Sequence, residues 1–176
     1  MTDNKAPTTI NRAVEVLTGI AVNREEVKRM LAGLPDSEAV NKTAVEYEIQ
    51  LLRIVFTGWA LSYFMAHHSK KDELAQSYWF SIHTFARQVS SLAAGSAGVT
   101  VDYFEAIRER TRTYIDAMNN NMTEADPTAV VGATFSLLCG AAETPPVNEA
   151  GKKMFINTLA TVKTYLETVE INGSPV

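Results

Sequence analysis

Cysteine is almost absent from this chain. Cys139 is its one thiol in 176 residues, so no disulfide can form within it and the fold must hold without covalent cross-links. Excess positive charge is absent too: 16 Lys and Arg stand against 20 Asp and Glu, a formal charge of −4. Phosphate backbones are gripped by concentrated cations, so nucleic acid is not an expected partner. No basic helix-turn-helix reading segment is found either. Long apolar runs are the third lack. A membrane-spanning helix needs about 20 predominantly apolar residues. The cleanest run, Ile54 to Ala66, is well short of that. Glu46, Glu48, Gln50 and Arg53 interrupt its upstream side. No membrane role is expected. The polar start MTDNKAPTT has no basic stretch followed by an apolar one, unlike a secretory leader. Together with the single cysteine, this fits a reducing cytoplasm.

What the chain does have is helical periodicity. Period-2 alternation is rare, and no convincing strand is found. The hydrophobic fraction of 46% and charged fraction of 20% are ordinary for a globular domain. A chain this long can bury roughly 70% of its unfolded surface, enough to fold without a metal or disulfide staple. The expectation is an all-α fold: a single antiparallel helical bundle of six or seven helices, with a buried central helix near 38–67. Residues 1–8 read as a flexible tail, and 9–176 as one helical-bundle domain.

The segment LLRIVFTGWALSYFMAHHSKK, Leu51 to Lys71, is the most apolar in the chain. Glu46, Gln50, Arg53 and Thr57 recur at helical spacing as a narrow polar stripe. Val40, Ala44, Tyr47, Leu51 and Ile54 form an apolar stripe beside it. Beyond Thr57 apolar residues cover nearly every direction, which marks a helix buried on all sides. Gly58 inside it costs roughly 1 kcal/mol relative to Ala, unless a close crossing compensates.

Around this helix the punctuation is as follows. Ile10, Val14, Leu17 and Ile20 make a first apolar stripe. NREE at Asn23 to Glu26 reads as a capping box, with Asn23 as the cap and Glu26 reaching back. GLPDSE stops that helix, and Asp36 or Ser37 is expected to cap the central one. A third long helix spans Asp72 to Ala94 and ends in the glycines of AAGSAG. Thr100 is expected to cap the next, whose stripe is Phe104, Ile107, Thr111, Ile115 and Met118. RERTR at Arg108 to Arg112 reads as a solvated face. Asp126 followed by Pro127 is a strong start signal. ETPPVN reads as a stop, and a last helix as running from Glu149 to Ile171.

Catalytic and metal motifs are lacking. There is no H-x-x-E, E-x-x-H or C-x-x-C spacing, so no metal site is expected. No G-x-S-x-G or P-loop pattern occurs. Cys139 sits in an apolar segment without a neighbouring base and reads as structural. His67 and His68 read as caps at the end of the central helix. No catalytic residue and no cofactor is assigned.

The third long helix carries the one unusual feature. Leu74, Tyr78, Ile82, Phe85, Val89 and Leu92 form its core stripe, and Trp79 lies on the shoulder. Gln76, Phe80, His83 and Arg87 lie opposite. Aromatics and arginine among neutral polar groups are typical of interface cores and ligand walls. Trp79, Phe80, His83 and Arg87 are therefore the candidate interaction surface. The leading expectation is a non-enzymatic interaction or regulatory domain, as a homodimer or with a protein partner. The alternative is a carrier or sensor for a small hydrophobic ligand or haem, its pocket lined by Trp59, Tyr63, Trp79 and His83.

Overall fold

The computed structural model describes residues 5–98, 100–121, 126–142 and 144–172. Among them run seven helices: α1 (Ile10–Ala21), α2 (Arg24–Ala32), α3 (Lys42–Phe64), α4 (Lys71–Ala97), α5 (Tyr103–Asn120), α6 (Pro127–Leu138) and α7 (Pro145–Thr168). The fold is an all-α bundle, and α3 is its centre. It packs against each of the other six helices. Every residue from Leu51 to Gly58 is buried. No helix among the described residues is long and apolar enough to cross a membrane.

Two short strands break the all-helical pattern. β1 (Ala6–Thr9) and β2 (Val169–Asn172) pair in parallel, with Ala6 opposite Val169 and Thr9 opposite Asn172. Within the segment expected as a tail, Ala6 to Thr8 are thus tied down, and Ile171 of the partner strand is buried; residues 1–4 lie outside the described residues. The last helix stops at Thr168 because Val169 and Ile171 take up alternate, extended positions. Four residues are too few to show a period of two in the sequence.

Several boundaries differ from expectation for identifiable reasons. The central helix is capped by Asn41, whose Oδ1 accepts from the Ala44 N–H at 3.1 Å, rather than by Asp36 or Ser37. It ends at Phe64, which leaves His67 and His68 in the exposed turn beyond. There the Lys70 N–H donates to His68 Nδ1. α4 continues through Gly95 and stops at Gly98, which adopts a left-handed φ of 65°. Asp102, not Thr100, caps α5. Pro145 and Pro146 start α7 rather than stop α6, because the first turn of a helix has no N–H bonds for proline to forfeit. Asp126 and Pro127 begin α6 as expected.

Arg53 is the largest fully buried side chain. It belongs to the stripe expected to be polar, and that stripe runs inward. Its guanidinium donates to Glu26 Oε2 at 2.7 Å and to the carbonyl of Ile20. Ile20 lies in the last turn of α1, where carbonyls lack helical partners. Glu26 lies in the first turn of α2. Asn23 does cap α2, accepting from Glu25 and Glu26 N–H groups. Glu26 does not complete the capping box; it turns to Arg53. Breaking a buried pair from one side costs about 3–5 kcal/mol. Arg53→Met is expected to lower the unfolding free energy by about that much. Urea unfolding checks it, and Glu26→Gln in the same background should recover part of the loss.

Gly58 is the notch through which α4 approaches α3. A Cβ there would stand 2.5 Å from Cζ2 of Trp79 and 3.0 Å from Cε1 of Tyr78. Tyr78 also donates its hydroxyl to the Ile54 carbonyl at 2.8 Å. A similar contact joins α6 to α7, where a Cβ on Gly151 would meet the ring of Phe135 at 2.6 Å. Gly58→Ala gains about 1 kcal/mol in helix propensity but overpacks at a cost of about 1–3 kcal/mol. The rigid indole leaves overpacking the larger effect. Urea titration should show a net loss, removed when Trp79 is also trimmed to Leu.

Candidate functional site

Two faces of α4 do different work. The inward face carries Leu74, Tyr78, Ile82 and Ala86, all fully buried. Phe85 and Val89 support it and are half-buried. Leu92, expected on that stripe, points outward and is 72% exposed. Of the candidate surface residues, Trp79 is half-buried against Gly58, and its ring meets Tyr78 edge-on at 5.2 Å. His83 is half-buried, edge-on to Phe104 at 4.8 Å. Phe80 and Arg87 are exposed, and Phe80 is 74% so. Trp79 and His83 are thus partly covered by α3 and α5, while Phe80 and Arg87 are open to solvent.

The outward face is better described by a row with a spacing of four. Phe80, Thr84, Gln88 and Leu92 are all exposed and fall on one i±4 ridge of the helix. The ridge is about 18 Å long at the helical rise of about 1.5 Å per residue. Its two ends are large and apolar; its middle is polar. Arg87 lies beside it. An open groove between α1 and α4, floored by Val14, Phe80 and Phe85, runs alongside.

The residues proposed for an internal pocket are spread apart. Trp59 and Tyr63 stack on each other along α3, with ring centres at 5.0 Å and planes at 9°. Tyr63 is 61% exposed. His83 borders a shallow surface groove with Arg87, Ser90 and Phe104. Of these four residues only His83 borders any of the five principal grooves and cavities among the described residues. A half-enclosed cavity of about 380 Å³ does lie elsewhere, where α1, α2, α3, α4 and α5 meet. Its walls are Val22, Val27, Ile54, Phe85 and Val89, with Arg24, Gln50 and Tyr103 as polar members.

A second buried ion pair lies near this cavity. Glu48 on α3 is 3% exposed and accepts two bonds from Arg110 of α5, from Nε at 2.8 Å and Nη2 at 2.6 Å. The bidentate geometry is the strong form of this contact. Arg110 was expected in a solvated RERTR face. It turns inward because the buried stripe of α5 is Tyr103, Ile107 and Tyr114, and Arg110 shares that spacing. The pair has tyrosines and a thiol for company. The hydroxyls of Tyr103 and Tyr114 are buried and find no partner among the described residues. Burial, then the charge of Glu48, pushes the Cys139 thiol up to about 12.

No protein-family model, curated protein or solved structure matches this chain. Function must therefore be argued from these surfaces alone. Among the described residues, no group of three or more His, Cys, Asp or Glu could hold a metal ion. Cys139 keeps its proton at neutral pH and so lacks the thiolate that nucleophilic attack requires. Sequence reasoning missed the Glu48–Arg110 pair, the Arg53–Glu26 pair and the Tyr103 cavity. The signal for the first was present: Val45, Glu48 and Leu52 share one face of α3, and Arg110 shares a face with Ile107 and Tyr114.

The buried acids give the fold a defined alkaline limit. The thiol's ordinary value is 9.0 and its folded value about 12. Burial likewise raises Tyr78 and Tyr114 above the ordinary phenol value of 10.0. Below pH 9 the folded and unfolded chains both hold these protons. Above it the unfolded chain releases them and the folded chain does not, so stability falls as pH rises. The urea midpoint is expected to decline steadily above pH 9. Cys139→Ala should make that decline shallower. Phenolate absorbance from the buried tyrosines should appear only together with loss of helicity. A flat midpoint across this range would contradict the assignment.

Proposed function

We propose that this chain is a non-enzymatic helical interaction domain that self-associates through the outward ridge of α4. The observation that supports the reading is the exposure of Phe80 at 74% and Leu92 at 72%, at the two ends of one ridge. Leaving each such side chain in water forgoes about 1.5–3 kcal/mol of burial. A second copy of the same ridge is the complementary occupant. Two α4 helices crossing antiparallel about Thr84 and Gln88 set Phe80 of one copy against Leu92 of the other, twice. That is the isologous arrangement of a two-fold dimer, in which one patch pairs with itself. The i±4 ridges of two helices interdigitate at one of the commonest crossing angles, about −50°. Arg87 then falls at the rim, where arginine is favoured. Trp79 and His83 hold the helix in place from within and are not contact residues in this reading.

The test is the oligomeric state of the full chain by sedimentation equilibrium. The wild type is expected to be dimeric at high concentration. Phe80→Glu should weaken association at least about tenfold, since at each end of the interface it replaces an apolar contact with a charge set against Leu92 of the other copy. Helical content by circular dichroism should not change, because Phe80 supports nothing inside the fold. A wild type that stays monomeric at high concentration overturns the proposal.

A further inference from the structure

The cavity where α1, α2, α3, α4 and α5 meet opens beside the ridge and shares Leu92 with it, and its lining is unusually divided. Its walls are aliphatic: Val22, Val27, Ile54 and Val89, with Phe85 beside them. Three polar residues, Arg24, Gln50 and Tyr103, are part of the same lining. Tyr103 is 4% exposed and its hydroxyl has no partner among the described residues. Arg24, exposed at the cavity's edge, lines the same space as that phenol. Gln50 lies one turn along α3 from Tyr47, whose ring meets the Tyr103 ring at 6.1 Å. A mostly apolar pocket with a few convergent polar groups is the usual form of a small-molecule site.

We propose that this cavity binds a medium-chain alkyl carboxylate. The alkyl body follows from the aliphatic walls. The size follows from the volume: about 380 Å³, at interior packing density, holds on the order of ten to fifteen non-hydrogen atoms. The negative head follows from the charges already committed. Glu25 is engaged by Lys28 at 2.8 Å and Glu26 by Arg53 at 2.7 Å. Glu48 is engaged by Arg110. Arg24 makes no ion pair among the described residues. It is also the first residue of α2, and the positive end of a helix adds to its attraction for an anion. A carboxylate accepts from the guanidinium and from the Tyr103 hydroxyl together, which gives that buried donor the acceptor it lacks.

Calorimetric titration of the full chain with decanoate, below its micelle concentration, tests this. Saturable binding of one molecule per chain is expected. Decanol, with the same body and no charge, should bind about tenfold more weakly or worse, and Arg24→Gln should bring decanoate down to the decanol level. Val89→Phe fills the cavity and should abolish binding of both. Arg24 is exposed, so its variant tests the head contact even if Val89→Phe disturbs folding. Binding should survive Phe80→Glu, which separates this site from the self-association reading. Absence of saturable binding overturns the proposal. So does decanol binding as tightly as decanoate, indifference to Arg24→Gln, or loss of binding in the Phe80→Glu chain.

Discussion

A guanidinium buried at the middle of the central helix sets the terms for the elements around it. Taking a charged group out of water costs several kcal/mol even after relaxation. Arg53 is 1% exposed, and burial works against its charge while Glu26 sustains it. The cost is offset only if acceptors meet its donors inside the fold. Both acceptors come from one place, the break between α1 and α2. Had the two helices run on as one, the carbonyl of Ile20 would bond the amide four residues ahead and be lost to Arg53. Because α1 stops at Ala21, that carbonyl is free. Because α2 starts at Arg24, Glu26 sits in a first turn facing it. The break near Val22 and Asn23 is therefore part of the core, not a loop attached to it.

Glu48 repeats the logic with the sign reversed. It is five residues before Arg53 on α3, rotated by about 140° around the helix at 100° per residue, and it reaches forward to Arg110 on α5. The two pairs hold α3 from different sides, one to the helices that precede it and one to a helix that follows. A slip or rotation of α3 would leave both charges buried without partners, so the pairs fix the register that apolar packing alone would leave looser. Aliphatic side chains tolerate interchange within a core. A carboxylate facing a fixed guanidinium fork does not.

Local signals were legible where the chemistry is local. Asp126 with Pro127 and Asn23 as a cap each act within a turn or two of chain, and each stands in the structure as read; the burial on all sides expected after Thr57 falls instead on Leu51 to Gly58, and α3 opens to solvent beyond it, with Tyr63 exposed. The helix count and the central place of α3 follow from them. The errors cluster where a distant partner decides. Glu26 satisfies the spacing of a capping box, yet a charge 27 residues away outweighs the local bond. Arg110 sits in a charge-rich string, yet Glu48 lies 62 residues away in sequence. Pro145 and Pro146 are equally good at ending one helix or starting the next, and only packing of α7 against α3 and α6 selects the start. The strands Ala6–Thr9 and Val169–Asn172 are each meaningless alone and exist only as a pair.

The candidate surface shows the same division. Helical spacing placed Trp79, Phe80, His83 and Arg87 on one side of α4, and that placement is sound as geometry of one helix. It could not say which neighbours lie over which part of that side. Gly58 on α3 leaves a notch that the Trp79 indole fills, and Phe104 on α5 takes the edge of His83. Two of the four residues are thereby consumed by internal packing. What is left over is more informative than what was first grouped. Phe80 lost its companions, and Leu92, assigned inward by its spacing, lies in water. Rotation around the helix does not explain this: Leu92 falls about five full turns after Leu74 and on the same azimuth, so its exposure reflects which neighbours reach that end of a 27-residue helix. The exposed row from Phe80 to Leu92 turns by about 120° along the helix, toward the azimuth of Leu74, while Leu74, Tyr78, Ile82 and Ala86 are all buried under neighbouring helices.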